Sequence, residues 1–209
     1  LKPPRSSWWA GAGRTAVVLE NGASFGDGTH PTTGMAIQLL DALLYPTCRS
    51  KTNQCLNAID IGTGSGVLAL VAARLGVGTV CGLDIDPCAR YEARENIRLN
   101  GLEDRVVIRD DSLTGVVGPY DLVLANLRTP TLIHIKAELQ KKVAHDCVLI
   151  FSGMKADESD LVSDAYRKAG FFTASKNQKH GWGAICLMRG SWLGVGRGPW
   201  AEYSSHGDR

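Results

Sequence analysis

The sequence predicts a doubly wound α/β fold: a mostly parallel sheet covered by helices on both faces and closed by a C-terminal antiparallel hairpin. Three observations carry that prediction. From residue 31 to residue 169, short apolar runs alternate with stretches of helical periodicity, the pattern of a parallel sheet. The first of these runs leads into a glycine-rich turn, Asp60-Ile61-Gly62-Thr63-Gly64-Ser65-Gly66, that opens a helical stretch. A chain of 209 residues, 44% hydrophobic and 21% charged, is the size and composition of one ordinary α/β domain, or of one domain with tails.

In chain order, Pro31 suits a first helical turn, where its missing N–H would be unpaired in any case. Met35, Ala36, Leu39, Leu40, Leu43 and Leu44 then recur at three- and four-residue spacing, which predicts an amphipathic helix from Pro31 to about Leu44. The linker YPTCRSKTNQ breaks it. LNAIDI, VLALVAARLG and TVCGLDI follow as strand, helix and strand within about thirty residues, the size of a βαβ unit. Asp86 and Pro87 form a cap and first-turn pair for CARYEARENIRLN, and Asn100-Gly101 forms its stop. RVVIR is the third strand and YDLVLAN the fourth. Residues 129–143 are expected as a helix, CVLIFS as a strand, and residues 156–169 as a helix closed by Gly170. FFTAS and GAICLMR, on either side of a polar loop, read as a hairpin.

No internal repeat is visible. Residues 1–28 are assigned to an N-terminal segment and loop, 29–189 to the folded domain, and the Gly-rich 190–209 to a tail, ordered only where Trp192 and Trp200 find a surface. Trp8 and Trp9 are read either as cover for a substrate or neighbouring-domain surface or as partly ordered segment ends. With 23 basic and 21 acidic residues the net charge is +2, so no global field draws the chain to nucleic acid or to an anionic membrane. No apolar run approaches the ~18 residues of a membrane span and no opening segment is built like a signal peptide, so a soluble, cytoplasmic protein is expected. Leu1 in place of an initiator Met is read as a sign of a longer parent chain. The six cysteines, Cys48, Cys55, Cys81, Cys88, Cys147 and Cys186, form no C-x-x-C pair, so neither a zinc site nor a redox pair is expected.

In an open parallel sheet, ligands bind beyond the carboxyl ends of the strands, at the switch point beside the first strand. There Gly62, Gly64 and Gly66, following Asp60, let the backbone turn sharply and approach a ligand at a helix N-terminus. A dinucleotide fingerprint, G-x-G-x-x-G, would need glycine at Val67. Here the third glycine comes one place early, in the G-x-G-x-G form associated with S-adenosylmethionine. Asp84, eighteen residues after Gly66, ends the next strand, where a carboxylate accepts hydrogen bonds from both ribose hydroxyls. Its alternative role is capping the following helix, for which Asp86 is better placed. Asp110 and Asp111 follow the third strand; one of them, Asp111 in preference, accepts from an adenine amino group, or the pair forms a solvated turn. Asn126 ends the fourth strand at the rim of the same cleft. Its amide both donates and accepts, so it can hold the methionine part of the cofactor or the incoming nucleophile, the alternative being a loop asparagine with local backbone bonds.

FGDGTHPTT, DIGTGSGVLALVAARLG, GLDIDPCARYEARENIRLNG and LVLANL stand in the order found in the PrmA family, methyltransferases of large-subunit ribosomal protein eleven, and residues 16–188 resemble that family. The glycine and acidic motifs are common to many class I methyltransferases; the F-G-x-G-x-H-x-T-T run is far more selective. The resemblance implies a Rossmann-like class I methyltransferase fold over residues 29–189. It implies S-adenosyl-L-methionine as cofactor, S-adenosyl-L-homocysteine as product, and methyl transfer to protein amines, whether lysine or N-terminal. Cofactor contacts are implied at Thr33, Gly62, Asp84 and Asn126, and Phe25, Gly26, Asp60, Gly64, Gly66, Ile85 and Asp111 complete the candidate set. Asn126 is also the candidate catalytic residue, and no metal is expected. Asp27 stands where the family usually has a small or hydroxyl residue, and NLRTPTL replaces a more apolar segment. Family members carry an amino-terminal domain that grips the ribosomal protein. Here about fifteen residues precede the matching segment, which is read as a lost or removed domain or as a different substrate.

Transfer from a sulfonium is an in-line displacement with an activated leaving group, so alignment rather than a catalytic triad is expected. An amine acceptor must be neutral, and a lysine near its reference pKa of ~10.4 loses its proton to water or a weak base, helped by desolvation. His30 is read as shaping the loop and helix start, with help in that proton transfer as its other role. The expected partner is a protein, a ribosomal protein in the first place, with no direct nucleic-acid or membrane contact. Two further readings are methylation of RNA or a small molecule on the same fold, and a cofactor-binding module without turnover. Leu127-Arg128, in place of Pro-Pro and an aromatic after Asn126, counts against the RNA-base reading.

Overall fold

Buried apolar side chains that alternate between two faces build the central sheet. The computed structural model describes residues 6–7, 16–20, 29–44 and 56–190. Phe25, Gly26, Asp27, Gly28, Trp8, Trp9, Cys48, Cys55 and the tail beyond Gly190 lie outside the described residues.

Two short strands, β1 (Ser6–Ser7) and β2 (Val18–Leu19), pair antiparallel. Helix α1 (Pro31–Leu44) matches the span read from its periodicity. Then come β3 (Asn57–Ile61), α2 (Val67–Arg74), β4 (Thr79–Leu83), α3 (Pro87–Asn100), β5 (Val106–Arg109) and β6 (Tyr120–Asn126). The chain continues through α4 (Thr129–His134), α5 (Lys136–Leu139), β7 (Val143–Lys155), a 3-10 turn (Ala156–Glu158), α6 (Ser159–Arg167), β8 (Phe172–Lys179) and β9 (Trp182–Arg189). The seven-stranded sheet runs β5-β4-β3-β6-β7-β9-β8. It is parallel from β5 to β7, and β9 lies antiparallel to both β7 and β8.

Along β6, Leu122 and Leu124 join the core under α1, α2 and α3, whereas Val123 and Ala125 join the core under α4 and α6. Along β7, Val148 and Ile150 face the first core, Leu149 and Phe151 the second. Both faces are therefore covered, which is why these strands read as unbroken apolar runs. Tyr166 of α6, fully buried, donates its hydroxyl proton to Leu132 O at 2.8 Å and so ties α6 to α4.

Three elements depart from expectation. The helix expected over 129–143 is two short helices with Ile135 between them. The chain leaves helix early because Lys142 O accepts from Tyr120 N–H and Val143 pairs with Tyr120, so sheet pairing captures β7 from residue 143. The helix expected over 156–169 begins as a 3-10 turn and its α part ends at Arg167, with Gly170 at φ 84 closing it. The polar stretch expected as a loop between the hairpin strands is largely strand, since β8 continues to Lys179 and only His180 and Gly181, both at positive φ, make the turn. Among the described residues no helix is long and apolar enough to cross a membrane.

Candidate active site

β3 has β4 on one side and β6 on the other, so the winding reverses beside it. The carboxyl ends of β3, β4 and β6 frame a cavity of about 610 Å³ at that switch point. Its wall includes Thr33 from α1, Asp60 to Gly64 from β3 and its turn, Asp84 to Asp86 after β4, Asp111 after β5, and Asn126 and Leu127 after β6. Among the described residues four of the lining side chains are carboxyls, Asp60, Asp84, Asp86 and Asp111, and none is Lys, Arg or His.

The glycine-rich turn spends its amides on the protein. The N–H groups of Gly62 and Thr63 both donate to Leu83 O, at 2.8 and 2.9 Å, and Gly66 N–H donates to Thr63 O at 2.9 Å. Gly64 N–H donates to Asp84 Oδ2 at 2.8 Å. A pyrophosphate cradle needs such donors free, so this turn is shaped for close approach rather than for anion capture. Gly62 is at φ 71, and a Cβ there would stand 2.7 Å from Leu127 Cδ2, so the turn and the loop after β6 touch only because residue 62 lacks a side chain. Gly66 starts α2 and is not part of the cavity wall; a Cβ there would meet Ala93 Cβ of α3 at 3.2 Å.

Asp60 is 1% exposed. Thr63 Oγ1 donates to its Oδ2 at 2.6 Å, while Oδ1 has no hydrogen-bond partner. Burial pushes this carboxyl up to about 7, the nearby Asp84 charge adds to the rise, and the Thr63 hydroxyl and the Ala69 amide at the head of α2 oppose it. Asp84 takes two backbone N–H groups, Gly64 on Oδ2 and Asp86 on Oδ1 at 2.9 Å. Helix capping falls to Asp86, whose Oδ1 accepts from Cys88 N–H at 2.8 Å. Between them Ile85 stands 92% exposed on the cavity wall. Asp111 is held below the usual carboxylate range by the Arg109 guanidinium, whose Nε donates to Oδ2 at 2.6 Å.

Asn126 Nδ2 donates to Thr33 Oγ1 at 3.3 Å, linking the end of β6 to the first turn of α1. That bond orients the amide and leaves Oδ1 buried without a hydrogen-bond partner. His30 organises the same turn from outside the cavity wall. Its Nδ1 accepts from Thr32 N–H at 3.3 Å, its ring meets Trp182 edge-on at 5.0 Å, and Lys155 Nζ sits 4.1 Å from the Trp182 ring centroid.

Thr33, Asp60, Gly62, Gly64, Asp84, Ile85, Asp111 and Asn126 thus meet at one cavity, Gly66 supports it from behind, and Phe25 and Gly26 lie outside the described residues. Two contributors escape a reading of motifs. Gly153, at φ 86 inside β7, would place a Cβ 2.7 Å from Asn126 Oδ1, so its bareness keeps space at that oxygen. A glycine interrupting an apolar strand is the signal that marks such close approach. Glu158 accepts from Thr129 Oγ1 at 2.6 Å and from Lys155 N–H at 3.4 Å, fastening the loop after Asn126 to the end of β7. Among the described residues no group of three or more His, Cys, Asp or Glu side chains is placed to hold a metal ion.

A switch-point cavity lined by carboxyls, beneath a sheet of this order, defines a class I methyltransferase-like architecture. The family model described as ribosomal protein L11 methyltransferase (PrmA) matches residues 5–190, and the chain belongs to that family. A ribosomal protein L11 methyltransferase from Bacillus cereus (strain B4264) is 38% identical over 170 residues, covering 81% of this chain and 52% of the relative. The chain spans about half the length of the curated relatives it matches. The crystal structure of a ribosomal protein L11 methylase from Lactobacillus delbrueckii subsp. bulgaricus superposes with a TM-score of 0.71 at 30% identity, over 82% of this chain and 83% of that one. An RNA methyltransferase from Salinibacter ruber, in complex with S-adenosyl-L-homocysteine, shares the fold at a TM-score of 0.60 and 15% identity, over 81% of this chain and 100% of that one.

Proposed function

We propose that the cavity binds S-adenosyl-L-methionine and that the chain directs its methyl group to an amine of a protein, with ribosomal protein L11 the first substrate to test. The observation that carries this is the charge that the described residues give the cavity: four carboxyls, no basic side chain, and an Asp60 oxygen buried in the wall without a hydrogen-bond partner. Such a lining repels phosphates and suits a ligand bearing a sulfonium and an ammonium. A volume of about 610 Å³ holds a nucleoside with an amino-acid arm.

In this reading Asp84, anchored by two backbone amides, presents its remaining lone pairs to ribose hydroxyls. Exposed Ile85 offers an apolar face to adenine, and burial of that face against the base stabilises the complex. Asp111 is placed to accept from the base's amino group while Arg109 keeps it ionised. The bound cofactor supplies a methyl group on a sulfonium, whose departure as a neutral thioether needs no acid. Asn126, its amide fixed by Thr33 and given room by Gly153, stands in the cavity wall where it positions the acceptor amine. Residues 29–189 form the catalytic unit in this proposal, the relatives' additional length lying outside the matched region.

The test is methyl transfer from labelled S-adenosylmethionine to purified ribosomal protein L11 and to whole ribosomes. Label removed by protease and resistant to nuclease supports the protein assignment. Label removed by nuclease moves the substrate to RNA, and no label in either removes the proposal.

A further inference from the structure

One set of buried polar side chains lies outside the cavity wall. On α3, Asn96 is fully buried and Asn100 is 6% exposed. Asn100 grips both backbone groups of one residue of the N-terminal strand: its Oδ1 accepts from Val18 N–H at 3.0 Å and its Nδ2 donates to Val18 O at 2.7 Å. Asn96 Oδ1 accepts from Glu20 N–H at 2.8 Å. Its Nδ2 points the other way and donates at 2.9 Å to Ser65 O, inside the glycine-rich turn. Asn100 Nδ2 also donates to the backbone carbonyl of Asn96, one helical turn back, at 2.7 Å, which fixes its amide on the same face of α3 as Asn96.

Helix α3 therefore meets β2 as a neighbouring strand would, with side-chain amides in place of backbone ones. Val17 and Leu19, on either side of the gripped residue, are buried in the core at 4% and 1% exposure. Lifting β2 away removes the protein partner of Asn96 Oδ1, and an amide that loses one partner weakens its grip on the other. That other partner is Ser65 O, between Gly64, whose N–H holds Asp84, and Gly66, packed on Ala93 of the same helix.

We infer that Asn96 is a positioning residue which, with Asn100, couples the seating of β2 to the shape of the glycine-rich turn. Filling the cofactor cavity and docking the N-terminal strand then favour each other, and the coupling is reciprocal. The inference rests on the cofactor reading given above. Neither asparagine lines the cavity, so the effect passes through Ser65.

Amide hydrogen exchange on the full 209-residue chain, with and without S-adenosylhomocysteine, reads this directly. Val18 and Glu20 are expected to slow by about fivefold, whereas the edge strand β8, whose local opening leaves the cavity and the glycine-rich turn in place, is expected to slow little. Asn100→Ala, which cuts a grip on β2 and touches nothing in the glycine turn, is expected to weaken S-adenosylhomocysteine binding by about fivefold or more. Asn96→Ala is expected to remove the selective slowing. Binding to wild type with Val18 and Glu20 slowed no more than the edge strand β8 overturns the coupling and leaves the cofactor reading standing. Absence of binding to folded wild type overturns both.

Discussion

At Asp60 a carboxyl sits where burial and function pull in opposite directions. Its folded pKa, pushed up to about 7, lies above the ordinary value near 3.8. Between those values the unfolded chain has released the proton that the folded chain keeps. Stability is therefore fully present below about pH 4, falls as pH rises toward 7, and is flat beyond, a loss on the order of 4 kcal/mol. Urea unfolding at pH 5 and pH 8, compared between wild type and Asp60→Asn, checks the sign: wild type loses stability over that step and the variant loses much less. A bound cation reverses the preference by favouring the ionised form. Gly153 carries a second expectation at this scale. Gly153→Ala adds a left-handed penalty of about 1–2 kcal/mol and presses on Asn126 Oδ1. Methyl transfer by this variant falls further than cofactor affinity does, measured as kcat against Kd. Gly181→Ala, at φ 77 in open space, bears the φ penalty alone and leaves transfer unchanged, which separates strain from position.

At the scale of elements, sequence was most informative where local chemistry and burial agree. Pro31 with its apolar spacing marked α1 to the residue, and Asp86-Pro87 with Asn100-Gly101 marked both ends of α3. Asp86→Ala removes the cap bond to Cys88 N–H and lowers stability by about 1 kcal/mol, read as a shift in Tm of several degrees. The second half of β8 escaped because an edge strand with one partner has no need of apolar alternation, and the polar KNQK after FFTAS looks like a loop until β9 pairs with it. The early end of helix after α5 escaped because its cause, Tyr120 pairing across from Val143, is remote in sequence. The site divides in the same way. Gly62, Asp84 and Asn126 end predicted strands and were legible from position. Gly153, Glu158 and the Asn96–Asn100 pair act through contacts dozens of residues away, which no local spacing encodes.

For the molecule as a whole, the cavity exists because helices α1 and α2 and the ends of β3, β4 and β6 converge at the one place where the winding reverses. The acidic lining that its described residues supply makes a strong expectation about selectivity: S-adenosylmethionine and its thioether product enter, whereas nucleotides bearing a pyrophosphate do not. The proposed chemistry depends on that cavity being the cofactor site. Calorimetric titration of the folded chain with S-adenosylhomocysteine, in wild type and in Asp84→Ala, tests it without any knowledge of the acceptor. One site per chain is expected, with affinity falling by about tenfold or more in the variant, the scale of hydrogen bonds to a charged group. No heat of binding to wild type, or equal affinity in the two proteins, contradicts the assignment.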